Sequence, residues 1–182
     1  GILISKLQTL EVPVAVIINA SLINLPEVQE DLLKADYISV KADAFNTGTW
    51  KKINIPHKKL NIDEIISGII SFSHKYKGKL VTETMLVKGI NDTFDELNHT
   101  AGVIKTFNPD TAYIAIPTRP PAFKGVIPAD EITVNEAYHI FTEYIDDVQL
   151  LTGYEGNAFA STGNFKDDLL SITAVHPMRE DA

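Results

Sequence analysis

The chain has no cysteine in its 182 residues, and it carries two methionines and a single tryptophan. Without thiols it forms no disulfide, no thiolate zinc site and no iron-sulfur cluster on its own side chains. Aromatic residues make up 8%. No apolar run reaches the roughly 18 residues of a membrane span, and no basic segment precedes an apolar one in the manner of a secretion signal. The default expectation is therefore a soluble, cytoplasmic protein with no membrane partner. The five histidines show no metal spacing, and no internal repeat of 20 to 50 residues is evident.

What is present is apolar and acidic. Hydrophobic residues make up 45%, enough for one substantial core and few for two. The net charge is -8, unevenly placed: residues 1–91 carry 11 basic against 9 acidic side chains, and residues 92–182 carry 5 against 15. That acidity disfavours general binding to nucleic acid. Lys51, Lys52, Lys58 and Lys59 form a local basic patch, a solvated face or a contact for a phosphate backbone.

The pattern along the chain alternates. Short apolar runs at Val14–Ile18, Tyr37–Ala42, Leu80–Val87, Thr111–Ile116 and Val148–Leu151 read as strands. Between them lie helical patterns. One starts near Pro26, one runs from Asn61 to Gly78 with Asn61 and Glu64 as a capping box, one opens on Thr93 with Glu96, and one on Thr133 with Glu136. Ile2 to Leu10 also has helical spacing, and the segment around Gly48 and Trp50 reads as a loop. No hairpin dipeptide joins neighbouring strands, so the expected fold is α/β with a parallel sheet and right-handed crossovers. A complete eight-stranded barrel takes about 250 residues, so this chain would supply about five strands of a larger TIM-like barrel. The uncapped start, the lack of an initial Met and a last helix cut short suggest a piece of a longer protein. Residues 1–164 would be the partial barrel and 165–182 the start of a carboxyl-terminal extension.

In parallel sheets ligands sit beyond the carboxyl ends of the strands. Those ends carry Asn19 and Ser21, then Lys41 and Asp43, then Glu83 with Lys88, Gly89 and Asn91, then Thr118 and Arg119, and last Glu155 and Asn157. Any one of these can be a turn or a cap. Five polar tips on one rim favour a site. Glu83, inside an apolar strand, requires an answering group, either a lysine such as Lys41 or a ligand. Arg119, stiffened by Pro120 and Pro121, offers a fixed fork for a carboxylate or phosphate. The glycine-containing run from Gly153 to Asn164 could hold an anion on backbone N–H groups, although it matches neither the P-loop nor the dinucleotide fingerprint.

Several strings resemble a known family. VIINASL at Val16–Leu22, YISVKADAFNTGTWKKINIP at Tyr37–Pro56, MLVKGIND at Met85–Asp92 and TGYEGNAFAS after them look like the later strands of a radical S-adenosylmethionine enzyme. Their wording is similar to Fe-S oxidoreductases allied to the tRNA wyosine synthases. The resemblance implies a partial (βα) barrel, S-adenosylmethionine and a [4Fe-4S] cluster as cofactors of the full-length protein, an electron donor for the cluster, and reductive cleavage to a 5′-deoxyadenosyl radical. By position it places Asn19, Ser21, Asp43, Glu83, Lys88, Gly89 and Asn91 near the cofactor. Lys41, Thr118, Arg119, Glu155 and Asn157 are left to face a substrate, for which tRNA is possible but opposed by the acidic half. The family's three-cysteine motif and its Gly-Gly-Glu motif are absent, so no catalytic or metal residue is expected within this chain, and these residues alone should be inactive. The rival expectations are a TIM-like barrel enzyme acting on a phosphorylated metabolite, with Lys41 or Lys88 as the reacting amine, and a non-catalytic binding domain.

Overall fold

The computed structural model describes residues 1–118, 123 and 125–151. Their elements run α1 (Ile2–Gln8), β1 (Ala15–Ile18), α2 (Pro26–Leu32), β2 (Tyr37–Lys41), α3 (Thr47–Asn54), α4 (Ile62–Ser73), β3 (Lys79–Met85), α5 (Phe94–Phe107), β4 (Thr111–Ala115), α6 (Glu131–Thr142) and β5 (Val148–Leu151). All five strands pair in parallel and in sequence order, β1-β2-β3-β4-β5. This is the α/β partial barrel expected from the alternation of short apolar runs with capped helices. No helix among the described residues is long and apolar enough to cross a membrane.

Register separates the two faces of the sheet. Val16, Ile38 and Leu80 stand in one row, and Val40, Thr82, Ala112 and Val148 in another. These rows pack against the helices, where Phe72, Phe107 and Phe141 are fully buried. The alternate rows line the concave face: Ser39 with Val81 and Thr111, then Lys41 with Glu83, Tyr113 and Gln149. At the edge of the sheet this face is open, and Ile17 of β1 is 72% exposed.

At the opposite end of the strands a repeated device sets the register. Each of three aspartates lies just before one strand and reaches back to the preceding one. Asp36 accepts from the Val14 N–H at 2.8 Å, Asp110 from the Leu80 N–H at 2.7 Å, and Asp147 from the Thr111 hydroxyl at 2.7 Å. A slip of one residue would turn every strand side chain to the wrong face, so these carboxylates act where register matters. Helix α4 lies close to the β1–α2 connection. A Cβ at Gly68 would stand 2.7 Å from the Asn24 nitrogen, so only glycine fits there.

Three local readings change. The segment around Gly48 and Trp50 is helix α3, not a loop; Asn46 caps it by accepting from the Gly48 N–H at 3.0 Å, and buried Trp50 anchors it. Its early Thr-Gly-Thr run has low helix propensity, and tertiary packing overrides it. Helix α6 starts at Glu131 with Asp130 as its cap, one turn ahead of the Thr133 cap read from the sequence. At α5 the Thr93 cap is present, but Glu96 turns away from it and accepts from the Thr49 hydroxyl at 2.7 Å, tying α5 to α3. The division at residue 164 and the extension after it lie outside the described residues.

Candidate functional site

Because the strands are parallel, their carboxyl ends share one rim. The charged row lies just inside it. Lys41 ends β2 and points into the hollow beside its register partner Glu83. Its Nζ donates to Glu83 Oε1 at 2.9 Å and lies 3.5 Å from Asp43 Oδ1. The group that answers Glu83 is therefore the lysine of the neighbouring strand.

The two carboxylates are unlike. The Asp43 side chain is 3% exposed, and both of its oxygens are engaged: Oδ1 accepts from the Met85 N–H at 2.8 Å and Oδ2 from the Asn54 amide at 3.2 Å. Burial pushes its pKa up from the ordinary carboxylate value, against the pull of Lys41, the Met85 N–H and Asn54. Glu83 is 27% exposed, and among the described residues only its Oε1 is hydrogen-bonded. For Lys41, burial alone would lower the pKa, but Asp43 and Glu83 outweigh it and hold the ammonium above its usual value. Glu83 makes the closer contact with it, and Asp43 the more deeply buried one.

Two tyrosines accompany this row, Tyr113 within it and Tyr37 at the other end of β2 from Lys41. Tyr113 is the register partner of Glu83 on β4. Tyr37, at the start of β2, is raised in pKa by burial and then by the nearby Tyr113 and Glu83. Between them Ser39, Val81 and Thr111 are buried although they lie on the concave face. Neither tyrosine was picked out from sequence. Counting back in twos from Lys41 to Tyr37, and across from Glu83, would have found both.

The remaining rim residues differ in what they have free. Asn19 is exposed, and its Oδ1 accepts from the Ser21 N–H at 3.1 Å, closing a turn around Ala20 at φ 56°. Ser21 is half-buried at a cavity of about 190 Å³ beside Asn24, Lys59, Asn61 and Glu64. Lys88 is exposed and pairs with Asp130 at 3.0 Å, across to the start of α6. The Thr133 N–H and then Lys88 hold Asp130 down at about 2. Gly89 has φ 72° and gives its N–H to Asp92 at 2.8 Å.

Asn91 is only 2% exposed and fully occupied. Its amide donates to the carbonyls of Asp43 (2.8 Å) and Met85 (3.0 Å), and its Oδ1 accepts from the Val87 N–H at 2.8 Å. It staples the tip of β2 to the tip of β3. Asp43 and Asn91 thus build the rim and have no side-chain group to spare. Thr118 is exposed after β4. Arg119, Glu155 and Asn157, and the run from Gly153 to Asn164, lie outside the described residues. Among those described, no group of three or more His, Cys, Asp or Glu side chains could hold a metal ion.

The arrangement defines a class: an open sector of a parallel (βα) barrel with a charged row inside the carboxyl-terminal rim. No family model matches the chain. The UPF0026 protein MJ1312 of Methanocaldococcus jannaschii is 39% identical over 180 residues, 98% of this chain and 56% of that protein. The chain thus spans about half the length of that relative. Among solved structures, a domain of a pyruvate-formate lyase-activating enzyme from Bacteroides vulgatus superposes with a TM-score of 0.65 at 10% identity, covering 81% of this chain and 86% of that one. SuiB of Streptococcus suis, solved bound to S-adenosylmethionine, gives 0.59 at 15% identity, covering 84% of this chain and 35% of its own. A radical S-adenosylmethionine methyltransferase from Sphaerobacter thermophilus gives 0.62 at 14% identity, covering 78% of this chain and 40% of its own, and at such identities the likeness to all three is one of fold alone.

Proposed function

We propose that this chain is the later sector of a radical S-adenosylmethionine enzyme barrel, and that the whole protein cleaves S-adenosylmethionine reductively to a 5′-deoxyadenosyl radical. The observation that carries the reading is the sequential five-stranded parallel sheet, concave toward a charged row at its carboxyl-terminal rim, in a fold shared with enzymes of that chemistry.

The two cofactors fit differently. A [4Fe-4S] cluster does not fit this donor set, because the chain has no thiolate to ligate it. Its ligands belong to residues outside these 182, as does the docking of an electron donor. S-adenosylmethionine finds polar groups at the tip of β1: the amide nitrogen of Asn19 and the Ser21 hydroxyl have no hydrogen-bond partner among the described residues, unlike the side chains of Asp43 and Asn91. Asn19 and Ser21 would hold the cofactor's polar ends at the tip of β1. The Lys41–Glu83 row and the two tyrosines would line the hollow where a substrate lies. Thr118 and, from outside the described residues, Arg119, Glu155 and Asn157 remain proposals for that same wall.

The rival in which Lys41 forms a Schiff base with a phosphorylated metabolite loses ground on geometry. A reacting amine must shed its proton near neutral pH, whereas two carboxylates hold Lys41 protonated. The narrower kinship with the tRNA wyosine synthases rests on the short strings alone. Binding of full-length protein to tRNA across a salt series tests it, and no affinity at low salt removes it. The main proposal is tested by anaerobic reconstitution of the full-length protein with iron and sulfide, then assay for 5′-deoxyadenosine with a strong reductant. Release of 5′-deoxyadenosine is expected. A fully loaded cluster that yields none overturns the reading.

A further inference from the structure

We propose that the concave wall selects, against β2 to β4, a substrate that presents a cationic nitrogen, a primary ammonium or an amidinium, to Glu83 and Tyr113. The inference rests on the reading of this hollow as the substrate-facing side of the barrel and names the substrate's chemistry there.

The charge of the row decides it. One lysine stands against two carboxylates, and that lysine is already committed, 2.9 Å from Glu83 and 3.5 Å from Asp43. An incoming anion would have to draw Lys41 away from both. Asp43 is 3% exposed, held by the Met85 N–H and Asn54 and faced by Lys41, so it offers a ligand almost no surface. Glu83 is the carboxylate that a ligand can reach: about a quarter of it is exposed, and Oε2 is free of hydrogen bonds among the described residues. Beside it in register stands Tyr113, and below stands Tyr37.

A carboxylate with a tyrosine in the adjoining register position is a setting in which an organic cation can gain from the ion contact and from the ring. The other lysine that strand register puts on this face, Lys79, stands at the far end of β3, four residues from Glu83, too distant to reverse the sign at the rim. Arginine, the usual fork for a planar anion, does not occur on the described strands.

The test compares two probes of one size and opposite charge, butylammonium and butyrate, titrated into the full chain while the ring resonances of Tyr113 and Tyr37 are followed by NMR at fixed ionic strength. Butylammonium is expected to shift the Tyr113 ring in a saturable way and butyrate to leave it unmoved. Glu83→Gln keeps the shape of the wall and removes the charge, and it should weaken butylammonium about fivefold or more, the size of an exposed ion contact of about 1 kcal/mol. Tyr113→Leu leaves the Lys41–Glu83 pair in place and should weaken it as well. The proposal is overturned if butyrate binds as well as butylammonium, or if shifts from butylammonium spread over the surface and survive Glu83→Gln unchanged. The readout needs no cofactor, so it separates from the assay for 5′-deoxyadenosine. Cleavage without cation preference sinks this inference alone, and cation preference without cleavage sinks only the proposed chemistry.

Discussion

Replacing Lys41 with methionine puts the charged row to its most direct test. The substitution keeps most of the apolar stem and removes the ammonium that faces two carboxylates at 2.9 and 3.5 Å. Removing one partner of a buried ion pair costs about 3–5 kcal/mol, because the other charge is stranded. Here the cost divides. Glu83 is 27% exposed and can take up water in place of the lysine, which discounts its share. Asp43 is 3% exposed and cannot. We therefore expect a loss of about 2–3 kcal/mol at pH 7, on the order of a 1 M fall in urea midpoint for a typical slope. The pH dependence has a definite sign. Burial raises the Asp43 pKa, so the folded state binds more protons than the unfolded state above the ordinary carboxylate range, and stability falls as pH rises through that window. Without Lys41 the Asp43 pKa climbs further, so the penalty is largest at pH 7 and shrinks toward pH 4 as Asp43 takes up a proton. Urea unfolding of both proteins at pH 7 and pH 4 measures the difference. A loss under about 0.5 kcal/mol at pH 7, or an equal loss at both pH values, would refute the argument that Lys41 neutralises a sealed carboxylate.

Three further changes probe the frame around the row. The Thr82 hydroxyl is wholly buried on the helix side of β3 with no partner among the described residues, so Thr82→Val should raise stability by about 1 kcal/mol in urea unfolding. Asn91→Ala removes three hydrogen bonds to the backbone of two strand tips; it should cost about 3 kcal/mol and speed amide exchange at Val87, whose N–H loses its acceptor. The buried Tyr76 hydroxyl donates to the Ala35 carbonyl at 2.9 Å, and burial, then Asp36 and Asp110, push its pKa up to about 12. Its stabilisation is fully present below the ordinary tyrosine value near 10 and is lost as pH rises from there toward about 12, so Tyr76→Phe should flatten that stretch of the alkaline stability curve.

Much of the frame was legible because period and punctuation agree. Val148–Leu151 reads as a strand on its apolar run, and Thr111–Ala115 on its own. Asn61 and Thr93 announce the starts of α4 and α5 because a capping oxygen is a local requirement. Helix α3 escaped notice because its stability comes from Trp50 entering the core and from Asn54 meeting Asp43, contacts that no local window contains. The pairing of Lys41 with Glu83 is one of two answers the sequence offers for that carboxylate, and strand register makes it. The tyrosines were missed for the same reason: only the register shows that Tyr113 stands beside Glu83.

The rim separates two jobs that sequence alone had merged. Asp43, Asn91 and Asn54 look like site residues, being polar groups at or near strand tips, yet they spend their hydrogen bonds on one another and on backbone groups of the same rim. Their work is to fix the tips of β2 and β3 in one register, which places Lys41 and Glu83 face to face. Polar groups that are already paired in this way give a site its shape, since an ionic row reorients little when a ligand arrives if its neighbours hold it. What the described residues leave unpaired is Glu83 Oε2 within the hollow, and the Asn19 amide nitrogen with the Ser21 hydroxyl at the open edge. Under the proposed function the substrate would lie against β2 to β4 and the cofactor's polar ends against β1, so substitutions at Glu83 and at Ser21 are expected to disturb different ligands.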